Sequence, residues 1–499
     1  MSAELSPRRR TLILIVVALA LMMVVSAVSG LNVALPDLST ATGASQTQVI
    51  WIVDAYTLVF VGFLLPAGAL GDRYGRRGTL LAGLLIFGGA AACALAVSSP
   101  TGLIALRAAM GLGAAAVMPS TLSIITTSFP PEERGRAVGV WVGVAGGGAV
   151  LGLLASGALL EFYAWNSFFA LNVILAGVAL IGTLLVIPTS RDTEAPRLDP
   201  LGALLSLLAA VGVVLGIIEG PDRGWGDAVT VTGFVVGVLA LLGFVLWELR
   251  RAAPMLDVRL FRLRGFGAGS AVITIQFFGS FGLFFIILQY LQYVANLSPL
   301  RAALALLPLP VFLLPIARNA PRIANRVGAR RVLPIGLLLS ACGLAVMTSL
   351  GTHLVYWHFA LGLALFGIGM GLAGTPATAA IVSSLPESKQ GVGSAVNDLS
   401  RELGSALGIA ILGSALSSGY RSHIAAATHN LPPRAAEGAQ SSIAFVKNSG
   451  ALLAHYGPQG QRLLTAAQQA FVDAAHTSFY VAIGVLVGGA VFAAVRAPR

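Results

Sequence analysis

Charge is what this sequence has least of. Asp, Glu, Lys and Arg together make up 10% of its 499 residues, against about a quarter in a soluble globular chain. Among the 31 basic residues only Lys389 and Lys447 are lysines, a bias that reads as base composition. Cysteine is almost absent. Cys93 and Cys342 each sit midway along an apolar run, far apart in sequence, which excludes a disulfide framework and leaves two reduced packing residues. No Gly-x-x-x-x-Gly-Lys-[Ser/Thr] occurs, so no P-loop drives work by nucleotide hydrolysis. No histidine lies in the middle of an apolar run, and neither a metal site nor a cofactor is expected. Uninterrupted polar sequence long enough for a soluble enzyme domain is missing too.

Hydrophobicity is what the chain has in quantity, with 57% hydrophobic residues and a mean hydropathy of +0.86. A bilayer core about 30 Å thick takes about 20 apolar residues per helix. By that measure fourteen spans are predicted, the tenth (301–317) short and rich in proline, the last two at 392–418 and 476–495. Arg8, Arg9 and Arg10 precede the first run, which is too long for a signal peptide and lacks a small-x-small cleavage site, so it is read as an uncleaved helix. With the N-terminus inside, only Arg223, Arg301, Arg421, Arg434, Lys447 and Arg462 fall on outer loops. Arg107 and Arg401 lie within helices, and the remaining basic residues are inside. That asymmetry is the positive-inside pattern, and it puts both termini in the cytoplasm. Arginines scattered over short loops also disfavour a nucleic-acid partner. The one long polar segment, 419–475, lies outside. Leu463, Leu464, Ala467, Phe471 and Ala474 share a helical face there, as in a helix that caps the outer mouth or lies at the interface.

Two short strings repeat one pattern. Gly68-Ala-Leu-Gly-Asp72-Arg73-Tyr-Gly75-Arg76-Arg77 follows the second span, and Ala324-Asn325-Arg326-Val-Gly328-Ala-Arg330 follows the tenth. The first resembles the signature loop between helices two and three of the major facilitator superfamily. The repeat is then explained by two parallel halves with two helices inserted between them. The resemblance implies an all-α membrane protein of the major facilitator fold. It has fourteen transmembrane helices in two six-helix halves, 1–190 and 263–499, separated by two inserted helices over 191–262.

Further strings are similar to the fourteen-helix drug:proton antiporter branch. They are Asn32-Val-Ala-Leu-Pro36, Trp51-Ile-Val-Asp54-Ala-Tyr56, Arg107-Ala-Ala-Met-Gly111-Leu-Gly113, Tyr290-Leu-Gln292 and Gly391-Val-Gly393-Ser394-Ala-Val-Asn397-Asp398. Asp54 stands where exporters of quaternary ammonium compounds carry Asp. Two departures bear on direction and coupling. Ala27 occupies the place of a helix-one Asp. The antiporter motif of helix five appears as Gly148-Ala-Val-Leu-Gly152-Leu153-Leu-Ala-Ser156-Gly157, with its proline lost and its small packing face kept.

Ionisable groups inside a span are costly and are functional candidates. Asp54 and Arg107 enter from the same side to similar depth, and an ion pair between them is expected. It either stabilises the bundle or keeps Asp54 charged for a cationic substrate. In helix thirteen, Asp398, Arg401 and Glu402 share one face, with Asn397 beside them. Arg401 neutralises one carboxylate and leaves the other unpaired. Glu402, about ten residues from the inner surface, is the principal proton-carrier candidate, since burial disfavours a carboxylate's charged form. A purely structural polar cluster is the rival reading. Gln276, Gln289 and Tyr290 of helix nine line a polar cavity or bond between helices. Gly367-Ile-Gly369-Met-Gly371 is read as helix packing in preference to a dinucleotide loop, because no strand precedes it.

The expectation is therefore a multi-pass inner-membrane transporter that exports amphipathic or cationic drugs by proton antiport, a monomer whose partners are substrate, protons and lipid. Proton coupling is assigned to Glu402, Asp398 and Asp54, and substrate binding to Asp54, Arg107, Gln289, Asn397 and Arg401. Conformational switching is assigned to Gly68, Asp72, Arg73, Gly75, Arg76 and Arg77. The alternatives are a dedicated metabolite or antibiotic exporter, an uncoupled facilitator favoured by Ala27 and Leu153, and a receptor or channel.

Overall fold

The computed structural model describes residues 6–190, 199–251, 254, 256–385, 390–429, 431–449 and 458–498. Regular structure among them is helical throughout. The helices are α1 (Pro7–Thr42), α2 (Gln46–Tyr74), α3 (Arg76–Ala94), α4 (Pro100–Ser128), α5 (Pro131–Phe162), α6 (Ser167–Val186), α7 (Pro200–Arg223) and α8 (Ala228–Arg250). They continue with α9 (Arg264–Gln289), α10 (Pro299–Ala305), α11 (Pro308–Val327), α12 (Ala329–Met347), α13 (Tyr356–Ser383), α14 (Gln390–Thr428), α15 (Pro433–Ser441), α16 (Ile443–Asn448) and α17 (Pro458–Arg496). A π-helical turn, Tyr290–Val294, ends α9.

Among the described residues 13 helical stretches are long and apolar enough to cross a membrane. The expected fifth span is the one not counted. Its helix runs 32 residues, but only Leu151–Phe162 stands as a continuous described apolar stretch. Pro299–Val327 counts as one span, broken between α10 and α11 ahead of Pro308. The tenth helix thus runs ten residues beyond its predicted end at 317, because Arg318, Asn319 and Arg322 are polar but remain helical. Likewise α14 and α17 each run 39 residues, about 58 Å at 1.5 Å per residue. They exceed the bilayer core, and both enter the segment 419–475 that the hydropathy reading left outside the spans. Cys93 and Cys342 are free thiols on exposed faces of their helices and not in the packed interior expected for them.

The chain forms two compact units. Unit 1 gathers the chain up to Ala34, Ile52–Val211 and Gly237–Met255, and unit 2 gathers Leu35–Trp51, Gly212–Val236 and Leu256–Arg499. Within unit 1, glycines bring the helices together. A Cβ on Gly111 of α4 would lie 2.3 Å from the Tyr56 carbonyl oxygen of α2, and one on Gly113 would lie 2.7 Å from the Gly83 oxygen of α3. The small face of α5 meets α1, where a Cβ on Gly152 would lie 2.7 Å from Ser26 Cα. Unit 2 repeats these contacts internally. A Cβ on Gly367 of α13 would come within 2.6 Å of the Leu309 oxygen of α11, and one on Gly369 within 2.4 Å of the Gly336 oxygen of α12. The reading of Gly367-Ile-Gly369 as helix packing therefore holds. On α14, Gly404 and Gly408 would each place a Cβ 2.3 Å from carbonyl oxygens of α9.

The two signature strings also adopt matching shapes. Gly75, between α2 and α3, has φ 127°, and Gly328, between α11 and α12, has φ 91°. That left-handed region explains a fixed glycine in the pattern. Two residues further on, Arg77 donates to the Leu184 carbonyl at the end of α6 (2.8 Å), and Arg330 donates to the Ala494 carbonyl at the end of α17 (2.7 Å). A guanidinium at a helix C-terminus satisfies carbonyls that have no partner within the helix.

Candidate functional site

Unit 1 buries Asp54 of α2 and Arg107 of α4 completely. The expected ion pair between them is not formed. Arg107 Nε donates to the Ile52 carbonyl (3.0 Å) and a terminal nitrogen donates to the Ala27 carbonyl (3.3 Å). The guanidinium carbon also lies 4.3 Å from the centre of the Tyr56 ring. Tyr56 is held in place by its hydroxyl, which donates to the Val24 carbonyl at 3.2 Å. Carbonyl dipoles and a ring face thus meet the cation, and both Asp54 carboxylate oxygens are left without a hydrogen-bond partner. Ala27, where the resembling family has an acid, touches Arg107 through its backbone oxygen.

Unit 2 carries the α14 cluster. Asn397 and Asp398 are buried, and Thr378 Oγ1 of α13 donates to Asn397 Oδ1 at 2.9 Å. Arg401 neutralises neither carboxylate by contact, contrary to expectation. Its guanidinium carbon lies 4.7 Å from the Phe277 ring centre on α9. Glu402 Oε2 is buried and unpartnered, while the Glu402 carbonyl accepts from Ser405 Oγ at 2.8 Å. The long Arg401 side chain reaches across to the α9 ring instead of along its own helix, a choice that helical spacing does not reveal.

The α9 polar residues separate into different roles. Gln289 Nε2 turns back to the Phe285 carbonyl of its own helix (2.9 Å), so this predicted substrate contact is internally satisfied. The Tyr290 hydroxyl donates to the Gly351 carbonyl at 2.8 Å. Gln276 Oε1 accepts from Ser340 Oγ of α12 (3.1 Å), and its Nε2 is buried without a partner. In the switch loop, Gly68 lies near Pro119, Arg73 is exposed, and Arg76 and Arg77 are half-buried. The Asp72 side chain lies outside the described residues, as does that of Ser394.

A further polar cluster in unit 2 was missed by the sequence reading. Trp51 Nε1 donates to Glu219 (2.8 Å), which also accepts from Arg223 (2.7 Å), while Asp222 accepts from Thr47 and Arg421. Lys447 Nζ donates to the Gln292 carbonyl at the π-helical end of α9. Nearby, the Tyr293 hydroxyl pairs with Ser39 (2.7 Å) and the Pro36 carbonyl (2.9 Å). Burial pushes the Asp37 carboxyl up and the Lys447 ammonium down, and their mutual attraction partly opposes both shifts. The rarity of lysine, with Lys447 one of only two, was the available signal. Burial of Leu463, Ala467, Phe471 and Ala474 shows that the predicted amphipathic stretch is the first part of α17, packed inward.

Membrane-length helices, signature loops at two helix junctions and a fully buried carboxylate without a hydrogen-bond partner, Asp54, are the features of a polytopic membrane transporter. The family model of the Major Facilitator Superfamily matches residues 17–409, and the chain belongs to that family. It is a transporter and not an enzyme. Relatives include the multidrug resistance protein Stp of Mycobacterium tuberculosis, 33% identical and covering 82% of this chain and 76% of that protein. The methyl viologen resistance protein SmvA of Salmonella typhimurium is 34% identical over 93% of each chain. The puromycin resistance protein pur8 of Streptomyces alboniger is 37% identical, over 81% of each. Among solved structures, a bacterial homologue of the human lysosomal transporter Spinster aligns with a TM-score of 0.67 at 17% identity, covering 98% of this chain and 97% of that one. The POT family transporter PepTSo aligns at 0.63 and 16%, covering 98% and 99%.

Proposed function

We propose that this chain exports amphipathic, chiefly cationic drugs from the cytoplasm in exchange for protons. The observation that carries the reading is buried carboxylate oxygen without a hydrogen-bond partner in each unit, both oxygens of Asp54 in one and Oε2 of Glu402 in the other. A buried carboxylate without a counter-ion is costly, and either a proton or a cationic ligand removes that cost. A group that alternates between the two is what antiport requires. Resistance to methyl viologen and to several antibiotics among the relatives supports drugs as the cargo.

Glu402 carries the proton in this reading, with Asp398 one turn away as its neighbour, and Asp54 receives the cationic group. Asn397 and Arg401 contribute contacts to substrate. Arg107 acts on Asp54 by positioning α2, since its bonds go to the α2 and α1 backbone. Asp72 and Arg73 belong to the switch loop. Helix α5 supplies the fourteenth span, α1–α6 and α9–α17 form the two halves, and α7 and α8 are the insertion. The shared glycine contacts and the matched Arg77 and Arg330 caps support that division. Arginine asymmetry supports an orientation in the bacterial inner membrane with both termini in the cytoplasm, and the transporter is taken to act as a monomer.

The test is proton release from purified protein on adding a panel of lipophilic cations and neutral antibiotics. Release on cation addition is expected, and a panel-wide absence of release sinks the coupling. An uncoupled facilitator is the second reading, favoured by Ala27 and Leu153. It predicts substrate exchange without proton release.

A further inference from the structure

Helix α11 is sharply two-sided. Leu309 and Ala320 are buried on the side facing α13, where Gly367 and Gly371 admit the α11 backbone. The opposite side is exposed along its whole length, but its chemistry changes halfway. The outer half presents Val311, Phe312 and Leu314. The inner half presents Arg318, Arg322 and Arg326, four residues apart and all exposed. That spacing stacks them on one face. Arg318 lies nine residues inside the helix end at Val327, about 13 Å along the axis. None of the three is in an ion pair with a described residue. Arg322 reaches only Asn319 Oδ1, at 3.5 Å.

A cleft of about 680 Å³ opens at the foot of this helix, against the start of α9 and the end of α13. Its polar lining includes Asn325, Arg326, Ser383 and Ser384, and no described acidic side chain lines it. Ser384 Oγ is committed to the Ala380 carbonyl at 2.6 Å, while the Arg326 guanidinium, with no acidic partner among the described residues, stands beside Asn325 and Ser383 as a receptor for an anion. Basic pockets between membrane helices on the cytoplasmic side suit lipid head groups.

We propose that this cleft binds the phosphate of an anionic phospholipid, with Arg326, Asn325 and Ser383 as donors and Arg322 and Arg318 as the basic path above them. The site rests on the orientation proposed above, which makes this the inner-leaflet end. The change of character along α11 favours a lipid over a soluble phosphate. A headgroup uses the basic half while its acyl chains cover the apolar half, and a free anion has no use for Val311, Phe312 and Leu314.

Native mass spectrometry of the full chain, titrated with phosphatidylglycerol or phosphatidylcholine, tests this. Preferential retention of phosphatidylglycerol is expected. Arg322→Gln and Arg326→Gln should each weaken it about fivefold at low salt, as one basic residue near a charged lipid surface does. Arg331→Gln, an exposed inner arginine outside the cleft, should leave it unchanged. Melting midpoints of the variants confirm that they fold. Inorganic phosphate in millimolar excess separates the sources, because a lipid site keeps its phosphatidylglycerol and a soluble-anion site exchanges it. Equal retention of the two lipids overturns the proposal. So does wild-type retention in the double variant, or displacement by inorganic phosphate. The test reads no transport, so its failure is distinct from failure of the drug-export reading.

Discussion

Asp54 and Arg107 lie in the same unit but form no ion pair, Arg107 having partners and the Asp54 carboxylate none, and the distinction changes what each is for. Arg107 spends its donors on the Ile52 and Ala27 carbonyls, so it ties α4 to α2 and α1, and Asp54 stays open to a ligand. If Asp54 receives cations, Asp54→Asn should reduce efflux of a permanently charged monovalent cation by an order of magnitude and leave a neutral substrate nearly untouched. Parallel efflux assays with one of each check this, and equal loss for both would make Asp54 a coupling residue instead. The identity of the buried charges was legible in the sequence, because an acid or arginine in an apolar run is rare enough to notice. Their partners were not. A backbone carbonyl has no sequence signature, and the rings of Tyr56 and Phe277 look like ordinary core residues until the arginines are seen above them.

At the scale of elements, the recurring strings proved more informative than the hydropathy. The glycine in each signature loop was readable as a pattern and is explained by its positive φ. Gly328→Ala should therefore destabilise the protein by about 1 to 2 kcal/mol, and Gly78→Ala, at a helical position with nothing within 4 Å of the added Cβ, should not destabilise it. Thermal midpoints in detergent measure both, and an unchanged midpoint for Gly328→Ala would deny the strain. Helix ends were poorly legible because α11, α14 and α17 continue through polar residues outside the apolar runs. The half-buried Asp37 carboxyl gives a pH signature. Burial raises the Asp37 pKa above its ordinary 3.8, so the folded chain binds more protons there than the unfolded one. Its contribution to stability is complete below 3.8 and is lost as pH rises through the folded value. The melting midpoint of the wild type should thus fall relative to Asp37→Asn between pH 4 and pH 7, as seen in paired melts. A constant difference would mean that Asp37 is not buried in the folded protein.

For the whole molecule, the family and its helical fold were within reach of the sequence, since signature strings and loop charge both survive without coordinates. Coupling is a different matter, because it depends on which carboxylate exchanges its proton, and two family positions, Ala27 and Leu153, depart from the pattern. The account assigns that exchange to Glu402, whose Oε2 is buried without a partner. The most direct measurement uses proteoliposomes with an acidic lumen, the membrane potential clamped, and a permanently charged lipophilic cation outside. Wild-type protein should accumulate the cation in the lumen well above its outside concentration, and Glu402→Gln should bring it only to equality while still exchanging labelled for unlabelled substrate. Accumulation by the Gln variant to the wild-type level, or no accumulation by the wild type, would contradict proton-driven export through Glu402.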